Sequence, residues 1–311
     1  MRNKAKVGST VSQLEKGEGK IWRQVIRYGF LAVLSVFWGL AFVAIRSVVA
    51  ELSPVNLALL RWLVASACFL AFAPLVCKPK IEFERKDFPR LLTVAVFMVP
   101  MYHLSLNFAE TMVSSSLAGL LSSLGPVFVA VLSKFFLKER IGGRLVLALA
   151  LGIIGATIIS LPNLDFGSIM SILGPLEALL AVLSYAFFSV LSKPLVDKYG
   201  AVPVTVWAGL AGTLMMLPLL SKSFVYEVAG LSLNGWLSVL YLSFLSTFAG
   251  YLLFYTLVSQ GAVSKLSIQL YLIPVISVVG GVALLHEPVN VNILVGGAIL
   301  LLSVALATTN K

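Results

Sequence analysis

The side chains of this chain that could do chemistry are few, and most stand in apolar surroundings. Arg61 and Glu177 interrupt the runs LALLRWLVAS and SILGPLEALLAV. An ionised group at the centre of a membrane span costs about 2.5–3.5 kcal/mol even on insertion scales, so each needs a partner or a wet cavity. Arg61 and Glu177 are therefore expected to pair with one another. Glu177 is also the leading candidate for a carboxylate that takes up a proton. Pro126 and Pro274 sit near the middle of two further apolar runs. Each removes a donor and frees the carbonyl four residues earlier, at Ser122 and Leu270. In lipid such a carbonyl must find protein or water, and paired interruptions of this kind point to a binding site.

Polar and aromatic residues near these points complete the candidate set. Ser122 and Gln269 lie within five residues of the two prolines, and Tyr271 adjoins Pro274. Trp38, Tyr102, Tyr185 and Tyr255 fall inside apolar runs and could stack on an organic solute. Asn107 shares the run of Tyr102, and His103 beside it reads as a hydrogen-bonded structural residue. Glu110 reads as a solvated charge at an exposed turn. Arg46 and Lys265, near span ends, read as snorkelling cations. Ser115, Gly119 and Ser123 are spaced at four and read as a stripe for close helix contact.

Catalysis has no obvious machinery. HExxH, GxxxxGK[ST] and GxSxG are all absent, His103 and His286 are far apart, and no aspartate falls inside a span. No cofactor or metal is implied. Cys68 and Cys77 read as free thiols.

The elements that position these groups follow from composition. Of 311 residues 59% are hydrophobic and only 12% charged, with a mean hydropathy of +1.00; soluble domains run near about 25% charged. Lipid must cover much of the surface, which excludes a secreted enzyme, a disulfide scaffold and a disordered chain. Spans need about 20 apolar residues. Ten are read: 29–50, 54–77, 88–109, 113–137, 141–160, 174–195, 201–220, 234–258, 261–285 and 289–308. The continuous run LVLALALGIIGATIIS favours helices over alternating barrel strands. The fold class is thus an all-α integral membrane protein. With the N-terminus in the cytoplasm, 20 of the 23 lysines and arginines fall on the inner side, leaving only Lys222 outside and Arg46 and Arg61 within spans. That asymmetry places both termini on the cytoplasmic side of a cell membrane. It argues equally against nucleic acid as a partner, since no contiguous basic face forms. Residues 1–28 read as a disordered cytoplasmic tail.

The chain repeats itself. At an offset of 148, SSSLAGLLSSLGPVFVAVLSKFFLKERI falls on AVSKLSIQLYLIPVISVVGGVALLHEPV, so that Pro126 meets Pro274 and Glu139 meets Glu287. At 147, Trp38 meets Tyr185 and Arg46 meets Lys193. Two units result, 29–160 and 174–308, joined by an external linker at 161–173. Five spans per unit is an odd number, so the second unit must lie inverted. The basic KER at 138–140 and the uncharged-by-lysine HEP at 286–288 agree with that. Inverted halves suit a carrier that opens alternately to each side.

WGLAFVAIRSVVAELSPVNLALLRWLVAS (38–66) and PVFVAVLSKFFLKER (126–140), with its second copy at 274–287, resemble the EamA-like carriers of the drug/metabolite transporter superfamily. The resemblance covers about residues 29–308; the second copy departs from it with His-Glu-Pro in place of Lys-Glu-Arg. It implies a secondary carrier of a small organic solute, with export of amino acids or related metabolites the first expectation. Protons as a coupling ion and the oligomeric state stay open. A non-carrier bundle (channel, scramblase or sensor) is the alternative, distinguished by the absence of trans-stimulated uptake.

Overall fold

A backbone in hydrocarbon must satisfy its own polar groups, and a helix does so within one segment. The computed structural model describes residues 28–76, 83–137, 143–161, 169–259 and 267–308, and among them every regular element is a helix. In chain order these are α1 (Tyr28–Val48), α2 (Pro54–Val76), α3 (Phe88–Val96, carried through a π-helical turn at Phe97–Met101 into Tyr102–Met112) and α4 (Ser115–Ser122). Then come α5 (Gly125–Leu137), α6 (Gly143–Ser160), α7 (Ile169–Tyr199) and α8 (Ala201–Met216). The last are α9 (Lys222–Ala229), α10 (Leu233–Leu240, through a second π segment at Tyr241–Ala249, to Gly250–Ser259), α11 (Ser267–Leu285) and α12 (Val291–Thr308).

Among the described residues seven helices are long and apolar enough to cross a membrane, and three shorter apolar helices accompany them at Val146–Ser160, Leu272–Leu285 and Val291–Ser303. Their outward faces carry exposed apolar side chains such as Phe135, Ile153, Leu214 and Val279, a surface that suits lipid. Three departures from the sequence reading stand out. The run 113–137 is not one helix: it turns at Ser123 and Leu124, so Pro126 lies in the first turn of α5, where its missing N–H has no helical partner to lose. Pro126 accounts for the break, since it has no N–H to give the Ser122 carbonyl, and Gly125 lets the backbone pass close to the Tyr185 ring, 3.1 Å from where a Cβ would stand. Pro274, preceded by Ile273, sits inside a continuous α11. The sixth run is longer than 174–195, extending from Ile169 to Tyr199. The link before the eighth run folds into α9.

Small residues set the helix contacts. α6 lies on α12 where Gly155 faces the Gly296 carbonyl, 2.9 Å from a notional Cβ. Ser303 Oγ donates to the Ala148 carbonyl at 2.6 Å in the same seam. α4 lies on α11, where Ser277 Oγ donates to the Ser115 carbonyl at 2.7 Å. A Cβ at Gly119 would stand 2.2 Å from Ser277 Oγ and 2.4 Å from its Cβ. Gly119→Ala should therefore force the two helices apart and lower the melting temperature of the detergent-solubilised protein by several degrees, in line with the roughly 1–3 kcal/mol of overpacking. Gly143, which has nothing within 4 Å, supplies the control: Gly143→Ala should melt like the wild type. Equal melting of both variants would contradict the contact.

Both ends of the bundle are tied. At one end Glu287 accepts from Ser115 N at 2.7 Å, Ser116 N at 3.0 Å and Ser116 Oγ at 2.6 Å, which caps α4. Glu51 likewise accepts from Ser232 N and Oγ, both at 2.8 Å, before α10. Glu227 accepts from Ser53 N at 2.8 Å before α2. Carboxylates suit these positions because helix N-termini present free N–H groups and positive potential. At the other end Lys198 bridges Glu84 at 2.5 Å and Asp87 at 2.7 Å. Lys198 first, and Lys86 second, hold the Glu84 carboxyl below its ordinary value.

Candidate functional site

Seven helices converge on a cavity with about 690 Å³ of atom-free space, counting its open mouth. Its walls are mostly rings: Trp38 of α1, Tyr102 of α3, Tyr185 and Phe188 of α7, and Tyr251 of α10. They hold one another at edge-on and tilted angles: Trp38 lies 5.9 Å from Tyr251, and Phe188 lies 5.2 Å from Tyr185 and 6.3 Å from Tyr102. The polar lining is Arg61, His103, Ser122 and Ser246.

The second π segment builds one side. A π turn widens the helix and leaves carbonyls without their usual donors. Here the Ser246 carbonyl accepts Trp38 Nε1–H at 3.0 Å. The hydroxyls of Ser246 and Thr247 turn to Arg61, accepting from Nη2 at 3.0 Å and from Nε at 2.7 Å. Arg61 is only 4% exposed, and its Nη1 has no partner among the described residues. A buried guanidinium with a free N–H edge at the wall of an aromatic cavity can receive a carboxylate or similar anion, and the rings can cover that molecule's apolar part.

Trp38, Arg61, Tyr102, Ser122 and Tyr185 all line this cavity. The expected Arg61–Glu177 pair does not form among the described residues: Arg61 is held by hydroxyls, and Glu177 sits half-buried on α7, outside the lining. Tyr255 is wholly buried beside the site, packed on Phe254 at 5.2 Å. Pro126 and Pro274 are buried off the cavity, although Ile273 beside Pro274 reaches it. The side chains of Gln269 and Tyr271 fall outside the described residues. Asn107 is buried behind the wall, giving Nδ2–H to the Pro54 carbonyl at 3.0 Å.

Two readings need correcting. Glu110 is not at an exposed turn; it is 0% exposed, because α3 runs on to Met112 and Arg46 of α1 donates to the Glu110 carbonyl. His103 has no hydrogen-bond partner at either ring nitrogen among the described residues, and the ring lies between Trp62 at 5.3 Å and Tyr102 at 4.9 Å. The residues not foreseen as lining are chiefly Phe188, Ser246 and Tyr251. The repeat held a signal for two of them. Phe188 stands 147 residues after Ala41, as Tyr185 does after Trp38, and Tyr251 stands 148 after His103, and all six face the cavity.

The EamA-like transporter family model matches residues 26–161 and again residues 172–309. The chain belongs to this family. It is accordingly a multi-pass membrane protein and a transporter. An uncharacterized transporter of Archaeoglobus fulgidus is 32% identical over 90% of this chain and 98% of its own length. YdfC of Bacillus subtilis, likewise an uncharacterized transporter, is 31% identical over 84% of each. A family relative from Streptantibioticus cattleyicolor, named a probable terminal-alkyne amino-acid exporter, is 30% identical over 86% of this chain and 89% of its own. A crystal structure at 16% identity overlays with a TM-score of 0.63 over 91% of this chain and 96% of that one, a likeness of fold.

Proposed function

We propose that this transporter is a secondary carrier that exports an amino acid or a related metabolite by alternating access. Its ten crossings form two inverted five-helix halves, with both termini in the cytoplasm of a cell bearing it in the plasma membrane. The observation that carries the reading is the cavity between the halves, where the free edge of the Arg61 guanidinium meets aromatic walls. A solute with a carboxylate and an apolar body satisfies both at once. Hydroxyl and amide groups around Pro126 and Pro274, Gln269 included, would complete its contacts.

Repetition supports the inverted arrangement. The π turn at Phe97–Met101 maps at 148 onto the end of the π segment Tyr241–Ala249. Ser66 and Thr213, 147 apart, share a hydrogen bond of 2.8 Å between α2 and α8. The seam between Gly155 and Gly296 maps onto the seam between Ser303 and Ala148. The amino-acid exporter among the relatives favours the cargo class. Counterflow tests the reading: vesicles loaded with an unlabelled mixture of apolar L-amino acids should take up each label faster than empty vesicles. Uptake indifferent to internal cargo would leave a channel instead.

A further inference from the structure

One buried acid plays no part in this account. His103, Asn107 and Glu110 follow one another at four and three residues along α3, which aligns them on a single helix face. All three are 0% exposed. Among the described residues, the two carboxyl oxygens of Glu110, both ring nitrogens of His103 and Oδ1 of Asn107 have no hydrogen-bond partner. Folded interiors leave few such atoms, so a row of five calls for an occupant. His103 lines the cavity, and Glu110 lies seven residues on, about 10 Å along the axis.

None of the described charged or titratable groups around Glu110 hydrogen-bonds its carboxyl oxygens. Arg46 of α1 gives one N–H, from Nη1, to the Glu110 main-chain carbonyl and none to its carboxyl. Arg61 of α2 is bound to Ser246 and Thr247. Glu287, from the segment after α11, is a second anion, engaged at the start of α4. On its own helix stand Tyr102 and His103, and α7, packed along α3, carries the half-buried Glu177. An ionised carboxylate in that place would be enclosed without a hydrogen-bond donor, which is costly. As the acid it is neutral, with one O–H to give, and Asn107 Oδ1 one turn away is an unused acceptor.

We propose that Glu110 is the proton-binding site of this carrier, loaded in the arrangement seen here, and that His103 and Asn107 link it to the cavity. The step is simple: an O–H bond forms at the Glu110 carboxylate with a proton from water on one side and breaks to release it on the other. The role displaces Glu177. Coupling to cargo rests on the carrier reading, whereas proton binding does not.

Infrared difference spectra of the purified full-length protein across a pH step separate the two. The wild type should show the carbonyl stretch of a protonated carboxylic acid; Glu110→Gln should lose it, Glu177→Gln should keep it, and Glu110→Asp should shift it. A band that survives Glu110→Gln in protein with wild-type melting overturns the proposal. Should Glu110→Gln fail to fold, an unshifted band in Glu110→Asp overturns it equally. In proteoliposomes with L-phenylalanine as probe, the ratio of accumulation with and without an imposed pH gradient should drop to unity in Glu110→Gln. An unchanged ratio refutes coupling through Glu110. Wild-type protein without phenylalanine counterflow counts against the cargo class alone, and the infrared result then decides.

Discussion

Arg61→Met should lower solute uptake by one to two orders of magnitude while the protein folds as well as before. A hydrogen bond to a charged group contributes about 1.5–3 kcal/mol, and each 1.4 kcal/mol is roughly tenfold in affinity. The substitution removes the unpartnered Nη1 of a guanidinium that lines the cavity. What remains behind is tolerable, because the Ser246 and Thr247 hydroxyls can turn to carbonyls of their own helix. An unpaired buried cation is itself a burden on the fold, so its loss costs little stability and can raise it. Activity and melting temperature therefore move independently, which separates an anchor from a scaffold. Arg61→Lys keeps the charge without the planar fork and should fall between the two. Uptake kinetics in Arg61→Met equal to those of the wild type would remove the guanidinium from the site.

Glu287→Ala should have the largest effect on stability of any single carboxylate removed. Its side chain accepts three hydrogen bonds, two from main-chain N–H groups at the start of α4 and one from Ser116 Oγ. A lost N-terminal cap alone costs about 0.5–2 kcal/mol, and here buried donors are orphaned as well. A fall of several degrees in the melting temperature is expected. Glu227→Ala, which frees one main-chain donor at the more exposed start of α2, should fall less. If the two variants melt alike, the cap is not what holds α4 to the segment after α11.

Much of this was legible before any coordinates. Hydrophobic runs located the helices, and the 147–148 offset paired Trp38 with Tyr185, two of the cavity's walls. Arg61 announced itself by being a charge in an apolar run. What stayed hidden depended on tertiary contact. Glu110 sits between Ala109 and Thr111, close to a turn, and only Arg46 reaching across from α1 and the packing of α7 along α3 enclose it. The π segments leave little mark in an apolar sequence, although Pro100 within the first was a visible cause. The close pass of the backbone at Gly125 needed knowledge of the Tyr185 ring.

The Ser66–Thr213 hydroxyl pair has a mechanical meaning. Two equivalent positions can touch only on the axis that relates them, and a point on that axis has no lever arm. In the proposed exchange between halves, the far ends of α2 and α8 would swing while this contact stays where it is. Under that proposal the bond between them would serve as a fulcrum, lying where a hydrogen bond need not be broken while the halves exchange roles.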